Sequence, residues 1–210
     1  MKRYITEFIG TFFLVLVVAL TGNAAAIGVI LMVMIFAGGH ISGAHYNPAV
    51  TLAVLIRGKV TSQDAIIYMA VQIIAAIVAA LVAQWYMGDM AVATMDLTGK
   101  VAKAFIGELI GTFALAYVVL NVATSKGTTG NSFYGLAIGL TVFAMASTFG
   151  AVSGGAFNPA VAVGATVVKA FAFKNIWIYL VACFGGGLLA AMVFNYINED
   201  DKPVPPLQKG

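Results

Sequence analysis

Two short stretches of this chain, 39–54 and 150–165, repeat one unusual pattern. Each contains Ser-Gly and then Asn-Pro-Ala-Val, and the matching residues lie 111 positions apart, as Asn47 and Asn158 do. Asparagine is a good helix N-cap and proline a favoured first helical residue, so each copy predicts an irregular segment followed by a helix. Because both copies keep the same register, the pattern indicates a duplicated structural element rather than two ordinary loops.

Each of these helices is predicted to be only half as long as a membrane span. About ten apolar residues make a helix about 15 Å long, whereas the hydrocarbon core of a bilayer is about 30 Å thick. The chain has 210 residues, of which 61% are hydrophobic and 9% charged, and this composition excludes a soluble globular domain. Two half-length helices are therefore expected to fill the depth of a membrane together.

Six further apolar segments are long enough to span a membrane. They are predicted at 4–21, 24–40, 64–86, 103–124, 132–150 and 175–197. The first and fourth also match, since T-E-F-I-G-T-F at 6–12 resembles G-E-L-I-G-T-F at 107–113. The chain is thus read as two repeats, about 4–86 and 103–197, each with three spans and one half-helix. Three spans is an odd number, so the second repeat must enter from the opposite face, as in an inverted-topology repeat.

This organisation predicts an all-α membrane protein with a single transmembrane domain over 1–197 and a disordered cytoplasmic tail over 198–210. With both termini in the cytoplasm, seven basic residues face the cytoplasm and four face outward. The inner set is Lys2, Arg3, Arg57, Lys59, Lys126, Lys202 and Lys209; the outer set is Lys100, Lys103, Lys169 and Lys174. The short loops favour a prokaryotic plasma membrane, and no basic run indicates nucleic-acid binding.

Irregular backbone at membrane depth is tolerated only where it is buried in protein or lines water. Segments 39–46 and 150–157 are therefore expected to expose carbonyl groups to an aqueous path. The expected acceptors are Gly43, Ala44, His45 and Tyr46 in the first copy and Gly154, Gly155, Ala156 and Phe157 in the second.

The centre of this path is expected where the two half-helix amino ends meet, at Asn47-Pro48-Ala49 and Asn158-Pro159-Ala160. Each end carries about half a positive charge from its peptide dipoles, which disfavours cations there. The asparagine amides can donate to a passing water oxygen and turn its hydrogens outward, which breaks a proton wire. In the simpler alternative each asparagine only caps its own helix, and both roles are compatible if the oxygen caps and the NH₂ group faces the path.

Glu7 and Glu108 occupy equivalent positions in the first and fourth spans. Carboxylates inside a membrane are costly and usually functional. We expect each to accept backbone N–H bonds and so hold a re-entrant loop; a proton-coupled carrier is the alternative. His40 and His45 are the only histidines and have no cluster of further ligands, so no metal, cofactor or enzyme site is expected.

These motifs resemble those of the aquaporin, or major intrinsic protein, family, which includes the aquaglyceroporins. The resemblance covers about residues 4–197 and implies a right-handed bundle of six helices plus two re-entrant half-helices. It also implies one pore per subunit, water and small uncharged solutes as the permeants, and a homotetramer in the membrane.

The resemblance further implies an outer selectivity filter at Ile27, Ala146, Gly155 and Val161. Most relatives have arginine at the last of these positions, whereas this chain has valine. The filter is thus expected to be wide and apolar, with cation exclusion resting on the half-helix dipoles. We predict a passive channel for water or small neutral solutes. Alternatives are a channel mainly for ammonia, urea, glycerol or gases, a non-conducting structural membrane protein and, with less support, a secondary transporter.

Overall fold

The computed structural model describes residues 1–88 and 92–201. Within these residues the chain forms eight α-helices and three short 3₁₀ turns, with no strand. The helices are α1 Lys2–Thr21, α2 Ala24–Ser42, α3 Pro48–Ile56, α4 Ser62–Met87, α5 Val101–Thr124, α6 Tyr134–Ser153, α7 Pro159–Val167 and α8 Ile176–Ile197. Six of them are long and apolar enough to cross a membrane. The predicted all-α membrane fold with six spans is confirmed.

Local sequence explains where the spans begin. Asn23 caps α2 by accepting the N–H of Ala26 at 3.0 Å, directly after Gly22 in the left-handed conformation (φ 56°). Thr61 caps α4 in the same way, through the N–H of Asp64 at 3.1 Å. These caps satisfy N–H groups that have no partner within the helix.

The two half-helices, α3 and α7, have nine residues each. At 1.5 Å per residue each is about 14 Å long, which reaches halfway through a bilayer. Asn47 caps α3 through the N–H of Ala49, and Asn158 caps α7 through the N–H of Ala160, both at 2.8 Å. The duplicated motif therefore produces the duplicated element that the sequence predicts.

The irregular segments are shorter than predicted. Residues 39–42 and 150–153 belong to α2 and α6, and only 43–47 and 154–158 are non-helical. Gly43 (φ 85°) and Gly154 (φ 93°) end these helices in the left-handed conformation, and their N–H groups bond to Gly39 and Gly150. A glycine in this position is a common helix terminator, so the break occurs at the second residue of each Ser-Gly pair.

The spans pack in the same way in each repeat, with α1 against α4 and α5 against α8. Between the repeats α2 crosses α6, and the two glycines at this crossing, Gly28 and Gly139, are 111 positions apart. A Cβ atom on Gly28 would lie 2.7 Å from the Gly139 carbonyl oxygen, and one on Gly139 would lie 2.5 Å from that of Gly28. Only glycine permits this close approach.

The outer surface of the bundle is apolar, with aromatic residues near the helix ends. Trp85, Tyr86 and Phe173 are 81%, 70% and 79% exposed at the face where α4 ends, and Tyr196 is 79% exposed where α8 ends. Exposed aromatic rings at both ends of spanning helices are typical of membrane interfaces. We call the face where α1 begins and α8 ends the terminal face, and the other the opposite face.

The start of the C-terminal tail differs from the prediction of disorder over 198–210. Residues Glu199–Asp201 form a 3₁₀ turn, and Asp201 is 9% exposed. Its carboxylate accepts the Lys126 N–H at 3.0 Å and lies 3.8 Å from the guanidinium of Arg57. Arg57 itself is 1% exposed and lies over the Phe194 ring, so this residue of the predicted cytoplasmic set is buried. These contacts order the turn, and residues 202–210 lie outside the described residues.

Replacing Asp201 with asparagine is expected to loosen this turn. The Ser125 hydroxyl, the Lys126 N–H and the Arg57 guanidinium hold the pKa of Asp201 below its ordinary value of 3.8. A carboxylate whose pKa is lowered in the folded state stabilises the fold at pH values above its ordinary pKa. This stabilisation is lost as the pH falls through the lowered pKa. We expect severalfold faster amide exchange at Lys126 in D201N at neutral pH. The control D96N, in the loop at the opposite face, should leave this rate unchanged; an unchanged rate in D201N would contradict the assignment.

Candidate functional site

The amino ends of α3 and α7 meet inside the bundle, where Asn47 and Asn158 are each 3% exposed. Each side-chain oxygen caps its own helix. Each amide nitrogen donates across the repeat boundary, from Asn47 to the Phe157 carbonyl and from Asn158 to the Tyr46 carbonyl, both at 2.9 Å. The NH₂ group is expected from the sequence to face the path, but one of its two hydrogens instead bonds to a carbonyl of the other repeat. The second hydrogen of each amide is not used in this contact.

A narrow cavity of about 30 Å³ runs past both asparagines, and we call it the lumen. Its walls come from both repeats, and most of the side chains occur in pairs at equivalent positions. These pairs are Leu14/Leu115, Val18/Val119, Ile27/Ile138, Leu31/Val142, Ala44/Gly155, His45/Ala156, Asn47/Asn158 and Val50/Val161. The lumen is thus an apolar passage with its polar side chains concentrated at the centre.

Three of the four residues assigned to the outer filter, Ile27, Gly155 and Val161, line the lumen. The fourth, Ala146, does not line it and lies next to Gly155. A Cβ atom on Gly155 would lie 3.4 Å from the Ala146 Cα atom. All four carry either no side chain or a hydrocarbon one, so none of them offers a side-chain charge or hydrogen-bond donor.

The backbone next to each asparagine is held in an unusual conformation. Ala44 and Tyr46 both have φ 50°, and Phe157 has φ 47°. Residues with side chains rarely adopt this region, which costs about 1–2 kcal/mol for each residue. Among the described residues no protein donor reaches the carbonyl oxygens of Gly43, Ala44 and His45, or those of 154–156. The innermost carbonyls, of Tyr46 and Phe157, already accept the asparagine amides.

Glu7 lies behind the first re-entrant segment, is fully buried and does not line the lumen. Its carboxylate accepts the Ser42 hydroxyl at 2.6 Å, the N–H groups of His45 at 3.0 Å and Tyr46 at 2.8 Å, and the Gln72 amide at 2.8 Å. A carboxylate has about four lone-pair sites, so these four donors use its capacity. A group bonded in this way braces the loop and is poorly suited to carry a proton.

Glu108 holds the second segment with fewer strong donors. It accepts the N–H groups of Ala156 at 3.0 Å and Phe157 at 2.7 Å, and the thiol of Cys183 lies 3.8 Å away. The hydroxyl of Ser153, the counterpart of Ser42, also interacts with Glu108 but donates to the Phe149 carbonyl at 3.3 Å. Cys183 is 111 positions after Gln72, so a weak thiol donor replaces the amide of the first repeat. The two braces are related by the repeat but differ in strength.

Two further supports were not anticipated from the sequence. The hydroxyl of Tyr68 donates to the Ser42 carbonyl at 2.8 Å, and that of Tyr179 donates to the Ser153 carbonyl at 2.7 Å. These tyrosines tie the last residue of α2 and of α6 to the neighbouring spans. Their 111-residue spacing is the signal in the sequence that could have identified them.

The rings of Tyr46 and Phe157 occupy notches in α1 and α5. A Cβ atom on Gly10 or Gly111 would lie 2.2 Å from the Tyr46 or Phe157 ring, respectively. Each ring therefore fits only because a glycine faces it. Together with the acids and the tyrosines, these notches fix the direction of the backbone beside the lumen.

A wide vestibule of about 780 Å³ opens on the terminal face, and His45 lines both the vestibule and the lumen. Its Nδ1 atom lies 3.2 Å from the Thr51 hydroxyl, and its ring packs edge-on against Tyr68. His40 also lines the vestibule. No group of three or more His, Cys, Asp or Glu side chains is placed to bind a metal within 1–88 and 92–201.

Fold and site together define a polytopic membrane protein that surrounds a narrow passage with an inverted repeat. The major intrinsic protein family model matches residues 1–194. The chain is 34% identical over 218 residues to glycerol uptake facilitator protein-like 6 of Lactiplantibacillus plantarum, covering 96% of this chain and 100% of that protein. It is also 34% identical over 232 residues to aquaporin NIP1-1 of Arabidopsis thaliana, covering 100% of this chain and 78% of that protein.

A solved structure agrees with the fold. The X-ray structure of the aquaglyceroporin from Plasmodium falciparum superposes with a TM-score of 0.82 at 23% identity, covering 95% of this chain and 98% of that one. The chain belongs to the major intrinsic protein family. It is a passive transmembrane channel for water and small neutral solutes, and not an enzyme.

Proposed function

We propose that solutes cross this protein through the lumen and pass the Asn47 and Asn158 amides at its centre. The observation that carries the proposal is the placement of two helix N-caps in the wall of one apolar passage, each with one amide hydrogen that finds no acceptor among the described residues. A water or alcohol oxygen that accepts both hydrogens turns its own hydrogens away from the centre. The two helix amino ends add a positive potential that repels cations, including hydronium.

The proposed outer filter is Ile27, Ala146, Gly155 and Val161, toward the opposite face. Because these residues offer neither charge nor side-chain donor, selection there depends on size and on the cost of removing water. Solute hydrogen bonds are left to backbone carbonyls, with Gly43, Ala44 and His45 on one side of the centre and 154–156 on the other. This arrangement favours small neutral molecules such as glycerol, urea, ammonia and water.

Two features of the assembly are also proposals. We place both termini in the cytoplasm because seven basic residues then lie inside and four outside. The membrane is proposed to be a prokaryotic plasma membrane from the short loops, although the similar proteins include plant ones. A homotetramer is proposed from the family and from the exposed apolar surface of the bundle.

Light scattering on proteoliposomes tests the permeation path. Purified protein should accelerate volume changes in water, glycerol, urea and ammonia gradients over those of empty liposomes, and no solute should accumulate against its gradient. Rates equal to those of empty liposomes for every solute would contradict the channel path and favour a structural membrane protein. Uptake driven by a proton gradient would favour the proton-coupled carrier.

Replacing Val161 with arginine is expected to narrow the outer filter and to increase the selectivity for water over glycerol and urea. A guanidinium adds a long charged side chain to a residue that is 4% exposed and lines the lumen. We expect glycerol and urea permeability to fall at least about tenfold relative to water, since small steric changes in a close-fitting site have effects of this size. The control is V33A, a truncation on the outer surface of α2, where Val33 is 39% exposed. Unchanged ratios in V161R would show that residue 161 does not belong to the filter.

A further inference from the structure

The outer filter has a counterpart on the other side of the two asparagines. Each of its residues has an equivalent at a spacing of 111: Ile138 for Ile27, Ile35 for Ala146, Ala44 for Gly155 and Val50 for Val161. We call Ile35, Ala44, Val50 and Ile138 the inner ring. It lies in the half of the lumen that faces the vestibule, because α2 ends, α3 ends and α6 begins at the terminal face.

All four residues of the inner ring line the lumen, whereas Ala146 of the outer filter does not. The inner ring is also more enclosed. The exposed fraction is 3% for Ile35, 7% for Ala44, 2% for Val50 and 4% for Ile138. In the outer filter only Val161 is buried, and the other three are partly exposed.

The inner ring holds more side-chain atoms than the outer filter. Two positions hold the same residue in both sets, isoleucine at one and valine at the other. The difference in the number of side-chain atoms therefore comes from the other two positions. Ile35 has three more side-chain carbons than Ala146, and Ala44 has one more than Gly155. Ala44 supplies its methyl group from φ 50°, a conformation that glycine adopts without cost. The chain thus carries extra bulk on this side despite a local backbone penalty.

We propose that the inner ring, and not the outer filter, is the narrowest cross-section of the lumen and sets the upper size of the solutes that pass. This proposal rests on the proposed function, since it assumes that solutes cross through the lumen. The ring is entirely hydrocarbon, so it selects by cross-section and offers no side-chain bond to a particular solute. Water and slender molecules such as urea and glycerol are accepted, and wider molecules such as branched polyols are rejected on the vestibule side.

The test compares two variants that copy the outer filter into the inner ring, Ile35→Ala and Ala44→Gly. Proteoliposomes are assayed with water, urea, glycerol and pentaerythritol, a branched five-carbon polyol that is wider than glycerol. Both variants should raise polyol permeability relative to water, by about tenfold for Ile35→Ala, because removing hydrocarbon from a close-fitting site changes discrimination by this order. Ala44→Gly also relieves the positive φ, so it tests the proposal even if Ile35→Ala fails to fold.

Two comparisons make the result specific. Val33→Ala removes hydrocarbon from the outer surface of the same helix as Ile35 and should leave all the ratios unchanged. Val161→Ala widens the outer filter and should raise polyol permeability less than either inner variant. If the wild type conducts but the inner-ring variants have its polyol-to-water permeability ratio, this proposal is overturned and the proposed function stands. The same holds if Val161→Ala raises that ratio more than the inner-ring variants do. A wild type that conducts no solute overturns the proposed function and this proposal with it.

Discussion

Replacing Glu7 with alanine is expected to destabilise the protein strongly and abolish conduction. Four donors converge on this buried carboxylate, and at least three of them would be left without an acceptor. Each unsatisfied buried donor costs about 1–3 kcal/mol, so we expect a loss of at least about 3 kcal/mol. The left-handed residues Ala44 and Tyr46 would then relax, because the bonds that hold the loop in shape are gone.

The measurement is the midpoint of thermal unfolding in detergent, followed by size-exclusion chromatography, together with water permeability. The matched comparison is E108A, which should be milder, because Glu108 has two backbone donors, one distant thiol and a Ser153 hydroxyl that also bonds to the Phe149 carbonyl. The conservative variant E7Q keeps the shape and one acceptor oxygen and should fall between wild type and E7A. An E7A protein with the stability and permeability of the wild type, or an E108A protein less stable than E7A, would refute this ordering.

Replacing Gly187 with alanine should have the second large effect, because it forces the half-helix α3 away from α8. A Cβ atom on Gly187 would lie 2.5 Å from the backbone oxygen of Ala49, in the first turn of α3. The Ala49 carbonyl is part of the helix backbone and cannot change rotamer as a side chain can. The whole of α3 must therefore shift, which moves Asn47 relative to the Phe157 carbonyl. Overpacking of this kind costs about 1–3 kcal/mol, and we also expect water permeability to fall by at least about tenfold.

The control for this change lies two residues away in the same helix. A Cβ atom on Gly185 would meet only the end of the Leu109 side chain, at 3.2 Å, which can move aside. G185A should therefore retain both the unfolding midpoint and the permeability of the wild type. Equal behaviour of G187A and G185A would mean that the position of α3 does not control conduction.

Much of the architecture could be predicted because helix starts and helix lengths depend on residues that are neighbours in the sequence. Asparagine followed by proline specifies a helix start, and nine apolar residues limit its reach to half a membrane. Glu7 and Glu108 could be assigned to the loops because a carboxylate at membrane depth needs donors, and glycine-rich segments supply free N–H groups. These arguments need no knowledge of distant packing.

Other features depend on contacts between the repeats and could not be derived from local patterns. The bond from each asparagine to the opposite carbonyl requires that the two loops approach closely, and sequence spacing does not give that distance. The sequence predicts a shorter α2 and α6 than the structure has, because glycine and serine at 39–42 and 150–153 are weak helix formers. Packing overrides this tendency, as Tyr68 and Tyr179 bond to the final turns.

The burial of Arg57 is not predictable from the sequence, for a related reason. A single arginine beside Gly58 and Lys59 reads as a surface charge, and nothing in its neighbourhood indicates otherwise. Its environment is formed by Phe194 and Asp201, more than a hundred residues further along the chain. Only the folded bundle brings these groups together.

The rings of Tyr46 and Phe157, held in glycine notches, have a consequence for how the channel works. With the backbone anchored from behind, the aperture keeps its dimensions while molecules cross, as a rigid capillary does. Throughput is then governed by the friction and dehydration of the travelling molecules, and not by movements of the re-entrant backbone.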